Sequence, residues 1–146
     1  MRISFEEMAI KFAIDASLRS EDPHLQVGCS ILNKEGRLLS IGYNGLLPKQ
    51  EAAQDFWGNR DERRKYVIHA ETNALSCISR YEEPHILACT LLPCPSCAIN
   101  IISNNIKKVL YIQEYERDNL AHEIFDFYGI ELIRYKWHDR YTIFIL

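Results

Sequence analysis

Hydrophobic and polar residues follow one another along this chain with two periods, one typical of helices and the other of strands. Over residues 4–19, apolar side chains recur every three or four positions, which predicts an amphipathic helix. Ser4 and Glu7 have the spacing of a capping box at its start. Because a proline disfavours helix in the residue before it, Pro23 predicts that this helix has ended by then.

Short apolar runs bounded by turn residues predict strands over residues 27–32, 38–43, 86–91, 108–112 and 130–135. The first two runs flank a turn and should form an antiparallel hairpin. Helical periodicity separates the later runs, so those strands should be parallel. The helical stretches cover residues 69–80, 95–104 and 118–128. This order predicts an α/β fold, a three-layer α-β-α sandwich around a mixed five-stranded sheet.

Length and composition restrict the kind of protein this is. The 146 residues predict a single domain over 1–146, with a core at about 4–135 and a C-terminal tail at 136–146. No apolar run is long enough to span a membrane, and the acidic start lacks the apolar core of a signal peptide. The odd number of cysteines, five, fits reduced thiols, so we expect a cytoplasmic protein. The net charge of −3 argues against a long nucleic acid as partner.

Two short clusters carry the residues best suited to chemistry, at residues 69–71 (His-Ala-Glu) and 93–97 (Pro-Cys-Pro-Ser-Cys). One imidazole and two thiols form a donor set for zinc that leaves one coordination position for water. Such water becomes acidic near neutral pH, and the neighbouring Glu71 is best interpreted as a proton shuttle rather than a fourth ligand. The spacing therefore predicts a catalytic zinc site.

Helix geometry restricts where these side chains can lie. Residues two apart in the middle of a helix point about 200° away from each other, so His69 and Glu71 can serve one site only in a first turn. Pro95 favours the first position of the next helix, which puts Cys94 and Cys97 at a helix start as well. Two helix N-termini, which favour thiolate over thiol, are therefore predicted to converge on the metal.

A structural zinc site is the alternative, since it would close on four protein ligands. Cys89 or His85 could supply the fourth ligand. However, Cys29, Cys77 and Cys89 all fall in apolar stretches, which indicates core thiols rather than ligands.

A basic run lies in the least regular part of the chain. Residues 50–54 could form a short helix, and residues 55–66 contain a group of cations that includes Arg60. The others are Arg63, Arg64 and Lys65. The run is either a solvated surface or a lid that supplies a cation to a phosphate.

Three polar residues lie at the ends of predicted elements. Asn44 follows the second strand, where α/β proteins usually place groups that contact a ligand, and it is otherwise a turn residue. Arg19 and Ser20 either end the first helix or contact a phosphate.

The clusters, together with two shorter motifs, resemble the deoxycytidylate (dCMP) deaminase family over about residues 10–135. His-x-Glu followed by Pro-Cys-x-x-Cys is the signature of zinc-dependent nucleobase deaminases. The dCMP branch is indicated by Arg-Ser-x-Asp-Pro at residues 19–23 and Gly-Tyr-Asn-Gly at residues 42–45. The resemblance implies a cytidine-deaminase-like fold and hydrolysis of dCMP to dUMP, which feeds dTMP synthesis.

The same resemblance implies roles for individual residues. His69, Cys94 and Cys97 would hold one Zn²⁺ per chain, and Glu71 would be the general acid/base. Asn44 would contact the sugar or base, and Ala70 would meet the base through its backbone. Tyr115 falls where similar enzymes carry an aromatic beside the nucleotide, and it is otherwise a core residue.

The resemblance also bears on partners. The substrate would be a small-molecule nucleotide, with dCTP and dTTP as plausible effectors and no membrane partner. Similar enzymes often assemble as hexamers, so we expect a homo-oligomer.

After residue 45 the chain departs from the family pattern. Many members continue with a Met-Pro step and a loop whose Cys or His residues sometimes hold a second metal. Here residues 46–49 are Leu-Leu-Pro-Lys, and residues 46–66 contain neither Cys nor His, which argues against a second zinc. Because that loop helps to set phosphate and effector contacts, the departure leaves substrate and regulation open.

Two other functional classes are the alternatives. One is a deaminase of another branch that acts on tRNA adenosine, guanine, free cytidine or dCTP. A tRNA enzyme would need a broad basic face, which this sequence lacks. The other is a non-catalytic zinc or nucleotide-binding module, against which Glu71 argues, because a scaffold has no use for an unpaired acid beside zinc.

Overall fold

A computed structural model describes residues 2–114 and 118–136, and a five-stranded sheet lies at its centre. The strands are β1 (Gly28–Asn33), β2 (Leu38–Tyr43), β3 (Pro84–Leu91), β4 (Lys108–Gln113) and β5 (Glu131–Arg134). Their order across the sheet is β2-β1-β3-β4-β5. β1 is antiparallel to both β2 and β3, whereas β3, β4 and β5 are parallel. The predicted mixed sheet is therefore confirmed.

Helices cover both faces of this sheet. They are α1 (Phe5–Ser17), α2 (Gln54–Gly58), α3 (Arg60–Arg63), α4 (Ala70–Ser76), α5 (Pro95–Ser103) and α6 (Leu120–Phe127). Side chains of β3 alternate between two hydrophobic clusters, because successive residues of a strand point to opposite faces. Ile86 and Ala88 pack with α1, while Leu87 and Cys89 pack with α4, α5 and α6. The predicted α-β-α layering is confirmed.

The first helix begins and ends as its sequence predicts. Ser4 is the N-cap residue of α1, and its side chain accepts a hydrogen bond from the Glu7 N–H at 3.0 Å. This contact satisfies one of the free N–H groups of the first turn. The helix ends at Ser17, ahead of Pro23.

The segment between β2 and α4 differs from prediction. The helix suggested over residues 50–54 is wrong, since α2 and α3 lie further along the chain. Lys49 has a left-handed φ of 66°, and the Gln50 N–H donates to the Leu47 carbonyl at 3.1 Å. A turn therefore occupies the start of that segment. Asn59 then caps α3 by accepting from the Glu62 N–H at 3.1 Å.

Helix α4 ends four residues earlier than the periodicity predicts, at Ser76 rather than residue 80. The Ser76 hydroxyl donates to the Asn73 carbonyl at 2.7 Å, and the Cys77 N–H bonds three residues back to Ala74 at 3.3 Å. Such local bonds compete with continuation of a helix. α4 is thus short, and its position depends on what it packs against.

Two parts of the predicted organisation lie outside the described residues, namely Tyr115 and residues 137–146 of the tail. Within the described ranges, no helix has both the length and the apolar character needed to cross a membrane.

Strand β2 holds α4 in place. The Ser40 hydroxyl donates to the Ala74 carbonyl at 2.7 Å, and the Asn73 side chain donates to the Tyr43 carbonyl at 2.9 Å. At Gly42 the two backbones come so close that an added Cβ would lie 2.5 Å from the carbonyl oxygen of Ala70. No real Cβ contact is that short, so only glycine permits this approach.

Gly42→Ala should therefore destabilise the fold by about 1–3 kcal/mol, the usual cost of overpacking, because α4 must move away from β2. Urea unfolding followed by circular dichroism measures this loss. Gly58→Ala is the matched control, since an added Cβ there meets nothing within 4 Å. Equal stability of the two variants would contradict the close packing of β2 on α4.

Candidate active site

The two clusters meet where α4 and α5 begin. His69 is the N-cap residue of α4, and Cys94 is the N-cap residue of α5. Pro95 occupies the first turn of α5, where its missing N–H costs no hydrogen bond. Cys97 lies in the same turn, two positions after Pro95. The two helix starts therefore bring one imidazole and two sulfur atoms together, as the spacing predicts.

These three side chains, called the ligand trio below, have distances that fit zinc. His69 Nδ1 lies 3.5 Å from Cys94 Sγ and 3.4 Å from Cys97 Sγ. Tetrahedral zinc, with bonds of about 2.0 Å to nitrogen and 2.3 Å to sulfur, separates two such atoms by about 3.5 Å. The ligand trio could therefore hold a Zn²⁺ ion.

Neither residue suggested as a fourth ligand belongs to this group. Among the described residues, the group with metal-ligand spacing is His69, Cys94 and Cys97. Cys89 instead contacts Glu71, and His85 Nδ1 is a buried atom without a hydrogen-bond partner. Three protein ligands are the number typical of a catalytic rather than a structural zinc.

The two thiols of the ligand trio share a proton unevenly. A hydrogen bond between them is the main reason why the pKa of Cys94 is lowered to about 4 while that of Cys97 is raised. Hydrogen bonding to Cys94 also raises the pKa of His69. Cys94 therefore carries a thiolate, the form in which a cysteine binds a metal ion.

Glu71 lies in the first turn of α4 beside the ligand trio, and its side chain is buried. Burial disfavours the charged form and raises the pKa of this carboxyl. Its Oε1 atom accepts a hydrogen bond from the Cys89 thiol at 3.2 Å. A buried carboxyl with a raised pKa holds a proton more readily than an exposed one, which suits a group that takes up and releases a proton.

One pocket joins this chemistry to the basic segment. Its lining includes His69, Ala70, Glu71 and Cys94. Apolar walls come from Leu25, Val27, Val67, Leu91 and Leu92, and the remaining lining residues are Asp22, Asn44, Arg60, Arg63 and Arg64. One lining therefore combines apolar side chains with two polar groups of residues. Below, His69, Ala70, Glu71 and Cys94 are called its reactive end, and the exposed Arg60 and Arg64, together with Arg63, its cationic rim.

The three arginines of the rim differ in their contacts. Arg63 lies 3.9 Å from the buried carboxylate of Asp22 and donates to the Trp57 carbonyl at 2.8 Å. Arg60 and Arg64 are exposed and make no ion pair within the described residues. Arg63 thus fixes the segment, while Arg60 and Arg64 keep their charge for a ligand.

Asn44 lines the pocket, and its side chain already hydrogen-bonds two backbone groups. Its side-chain oxygen accepts from the Val27 N–H at 2.8 Å, and its amide donates to the Leu25 carbonyl at 2.8 Å. One N–H of the amide is left for a ligand. Asn44 therefore orders the loop before β1 as well as facing the pocket.

The structure does not bring Arg19 or Ser20 to the pocket lining. The Arg19 guanidinium lies over the Tyr43 ring, 5.9 Å from its centroid. The Ser20 hydroxyl accepts from the Asp22 N–H at 3.3 Å, which supports the loop that carries Asp22. These two residues therefore do not line the pocket.

Sequence reasoning missed the role of Asp22 and the donor role of Cys89. Asp22 was visible in the Arg-Ser-x-Asp-Pro motif, but nothing in the sequence shows that it pairs with Arg63 from a distant helix. Cys89 has no motif around it, and only the fold reveals that its thiol reaches Glu71.

Comparisons with known proteins agree with this geometry. A probable deoxycytidylate deaminase of Caenorhabditis elegans is 36% identical over 118 residues, which cover 77% of this chain and 58% of that protein. The deoxycytidylate deaminase of Homo sapiens is 34% identical over 124 residues, covering 77% of this chain and 65% of that protein. The chain thus spans less than two thirds of the length of these two relatives.

A solved structure is also similar. The crystal structure of dCMP deaminase from the cyanophage S-TIM5, in complex with dCMP and dUMP, superposes with a TM-score of 0.76 at 26% identity. The match covers 92% of this chain and 99% of that one. This likeness confirms the cytidine-deaminase-like fold.

A family model agrees with both. Residues 3–113 match the model described as the cytidine and deoxycytidylate deaminase zinc-binding region. That match covers most of the chain and includes the whole ligand trio and Glu71. The chain therefore belongs to the cytidine and deoxycytidylate deaminase family.

Proposed function

We propose that this protein removes the amino group of dCMP by zinc-dependent hydrolysis, which forms dUMP and ammonia and supplies dTMP synthesis. One observation carries the proposal: a single pocket contains Glu71 beside the ligand trio and, at its rim, Arg60 and Arg64 without ion pairs. A base fits the reactive end, and a monophosphate fits the rim. The relatives named deoxycytidylate deaminase support the same substrate.

Glu71 is the proton carrier of this proposal. Zinc, when bound, lowers the pKa of a coordinated water to about 7 and so makes a hydroxide nucleophile available near neutral pH. Glu71 takes the proton from the attacking water and gives it to the N3 atom of cytosine. It then takes the proton of the hydroxyl now on C4 and passes it to the exocyclic amine, so that the C4=O bond forms as the C4–N bond breaks and ammonia leaves. Because burial raises the pKa of Glu71, the carboxyl can both accept and donate.

The base and sugar are held by neighbouring groups. Ala70 is the first residue of α4, so its N–H has no acceptor within the helix and can donate to the base. The remaining N–H of Asn44 can reach the sugar or base. By the family resemblance we assign Tyr115 to the set of residues beside the nucleotide. Ser20 acts indirectly, by supporting the loop at Asp22, whereas Arg19 lies over the Tyr43 ring and is given no contact with the nucleotide.

We assign phosphate recognition to Arg60 and Arg64. A guanidinium can donate two parallel hydrogen bonds to a phosphate, which makes arginine well suited to this task. Arg63 already contacts Asp22 and the Trp57 carbonyl, so it positions α3. Arg60 is the first residue of that helix, and Arg64 is its C-cap residue. We expect a nucleoside triphosphate to bind these arginines less well than a monophosphate does. A nucleoside without a phosphate offers them nothing to bind.

The wider setting is part of the proposal. We treat residues 1–146 as one deaminase domain that acts in the cytoplasm, which is consistent with five free thiols. A homo-oligomer, a hexamer by family resemblance, is part of the same proposal. Regulation by dCTP and dTTP is proposed on the same resemblance.

The activity itself is tested by measuring ammonia release from dCMP, deoxycytidine, dCTP, cytidine and guanine side by side with the zinc-loaded protein. We expect a clear preference for dCMP. Turnover of guanine or cytidine alone would identify another branch of the family. One zinc per chain with no turnover of any compound would favour a non-catalytic zinc module.

Removal of one member of the ligand trio should abolish zinc binding. Cys94→Ala leaves only two protein ligands, so the zinc content should fall from one ion per chain to a small fraction, as measured by plasma mass spectrometry. Cys77→Ala removes an exposed thiol outside the trio and should keep a full zinc content. Full zinc content in Cys94→Ala would contradict the assignment of ligands.

Glu71→Ala should keep one zinc per chain but lose turnover of dCMP by about 10²–10⁴-fold, because general acid–base catalysis contributes that much. Steady-state kinetics and metal analysis on the same sample measure both quantities. Glu35→Ala removes an exposed carboxylate in the β1–β2 turn and serves as control. Wild-type turnover in Glu71→Ala would refute the proton-carrier role.

Arg60→Ala and Arg64→Ala should each lower kcat/KM for dCMP by about ten- to hundredfold, the range expected for lost hydrogen bonds to a charged group. For deoxycytidine, which has no phosphate, kcat/KM should change little. Lys65→Ala is the matched control, because Lys65 pairs with Glu62 at 2.9 Å and does not line the pocket. Equal losses on both substrates would contradict phosphate recognition.

A further inference from the structure

The carboxylate of Glu71 meets two thiols, and only one of them belongs to the ligand trio. Cys89 Sγ donates to Glu71 Oε1 at 3.2 Å, and the Cys97 thiol is near enough to lower the pKa of the same carboxyl. Both Glu71 and Cys89 are buried, with 4% and 0% of their surface exposed. Water is therefore a poor substitute for either contact.

Cys89 is fixed more rigidly than a loop residue would be. It lies in β3, the central strand, opposite Cys29 of β1 and beside Tyr111 of β4. Backbone hydrogen bonds on both sides hold its Cα atom, and its side chain points to the sheet face that α4 covers. The thiol therefore contacts Glu71 from the sheet, and not from α4, the helix that carries Glu71.

The two thiols differ in what they can donate once the site is in use. A cysteine binds zinc as a thiolate, so Cys97 has no proton to offer when it acts as a ligand. Cys89 is outside the ligand trio, and burial raises its pKa well above the ordinary value. It keeps its S–H and remains a donor.

We propose that Cys89 is a positioning residue that holds Oε1 of Glu71 and so leaves Oε2 as the oxygen that carries the proton. This inference rests on the proposed function, because it assigns an orientation to the group that performs the proton transfer. The S–H group is a weak donor, so the bond orients the carboxylate without trapping its proton.

A purely structural role for Cys89 makes the opposite prediction for two substitutions. If the thiol only fills the core, alanine should be tolerated at least as well as serine, since serine buries a hydroxyl. If the thiol orients Glu71, serine should retain function better than alanine, because its O–H can still donate. Activity and stability should then rank the two variants in different orders.

The kinetic experiment compares Cys89→Ala, Cys89→Ser and Cys77→Ala as zinc-loaded proteins acting on dCMP. We expect kcat to fall about tenfold in Cys89→Ala with KM within twofold, since the lost contact orients the proton carrier rather than the substrate. Cys89→Ser should recover most of kcat. Cys77→Ala removes an exposed thiol outside the ligand trio, and its kcat should stay within twofold. A kcat for Cys89→Ala equal to that of the wild type would overturn the proposal.

A spectroscopic measurement tests the hydrogen bond without turnover. The infrared S–H stretching band of Cys89 is obtained as the difference between the wild type and Cys89→Ser, and that of Cys29 as the difference between the wild type and Cys29→Ser. We expect the Cys89 band at lower frequency than the Cys29 band, because its acceptor is a carboxylate. Glu71→Ala should move the Cys89 band to higher frequency. A Cys89 band that ignores Glu71→Ala would overturn the proposal, even if Cys89→Ala folds too poorly for kinetics.

The two experiments also separate this inference from the proposed function. If the wild type releases no ammonia from dCMP, the proposed function fails while the S–H band still reports whether Cys89 holds Glu71. If the wild type is active and the band does not respond, the proposed function stands and the positioning role of Cys89 is refuted.

Discussion

The convergence of two helix starts is the constraint on which the rest of this structure depends. His69 and Cys94 are both N-cap residues, and Cys97 follows within the first turn of α5. Only at a helix start can neighbouring residues splay around one point instead of facing opposite sides of the helix. The N–H groups at these ends also favour the thiolate that a metal requires. The sheet beneath holds α4 and α5 at the separation that gives N–S distances near 3.5 Å.

Glu71 shows how the same arrangement creates a reactive carboxyl. Burial against the sheet raises the pKa of Glu71. In an ordinary core, burial of such a polar group would cost free energy that nothing offsets. Here hydrogen bonds from thiols offset part of that cost, and the neighbouring ligand trio offers a place for a cation. The pocket that opens from this point has apolar walls and a cationic rim. One cavity therefore contains both a buried carboxyl and exposed arginines.

The basic segment shows why composition alone could not assign its cations. Arg63 belongs to the same run as Arg60 and Arg64, yet Asp22 and the Trp57 carbonyl engage it. The acid comes from a loop about forty positions earlier in the chain, so no local pattern reveals the pair. His24 also bonds the Trp57 carbonyl, at 2.9 Å, which ties this loop and α2 together. The result is a rim in which one arginine is structural and two remain for a ligand.

The sequence by itself determined the mixed sheet, the hairpin, the first helix and the composition of the ligand trio. These features depend on period, turn chemistry and helix-start rules, which act over a few residues. Only the tertiary structure decided where α4 stops, where the short helices of the basic segment lie, and which arginines face the pocket. It also decided that the Cys89 thiol meets Glu71, because these residues come from a strand and a helix that pack together only in the folded chain. Contacts between distant segments depend on the close packing of the folded chain, and the periodicity of a sequence does not show which segments pack together.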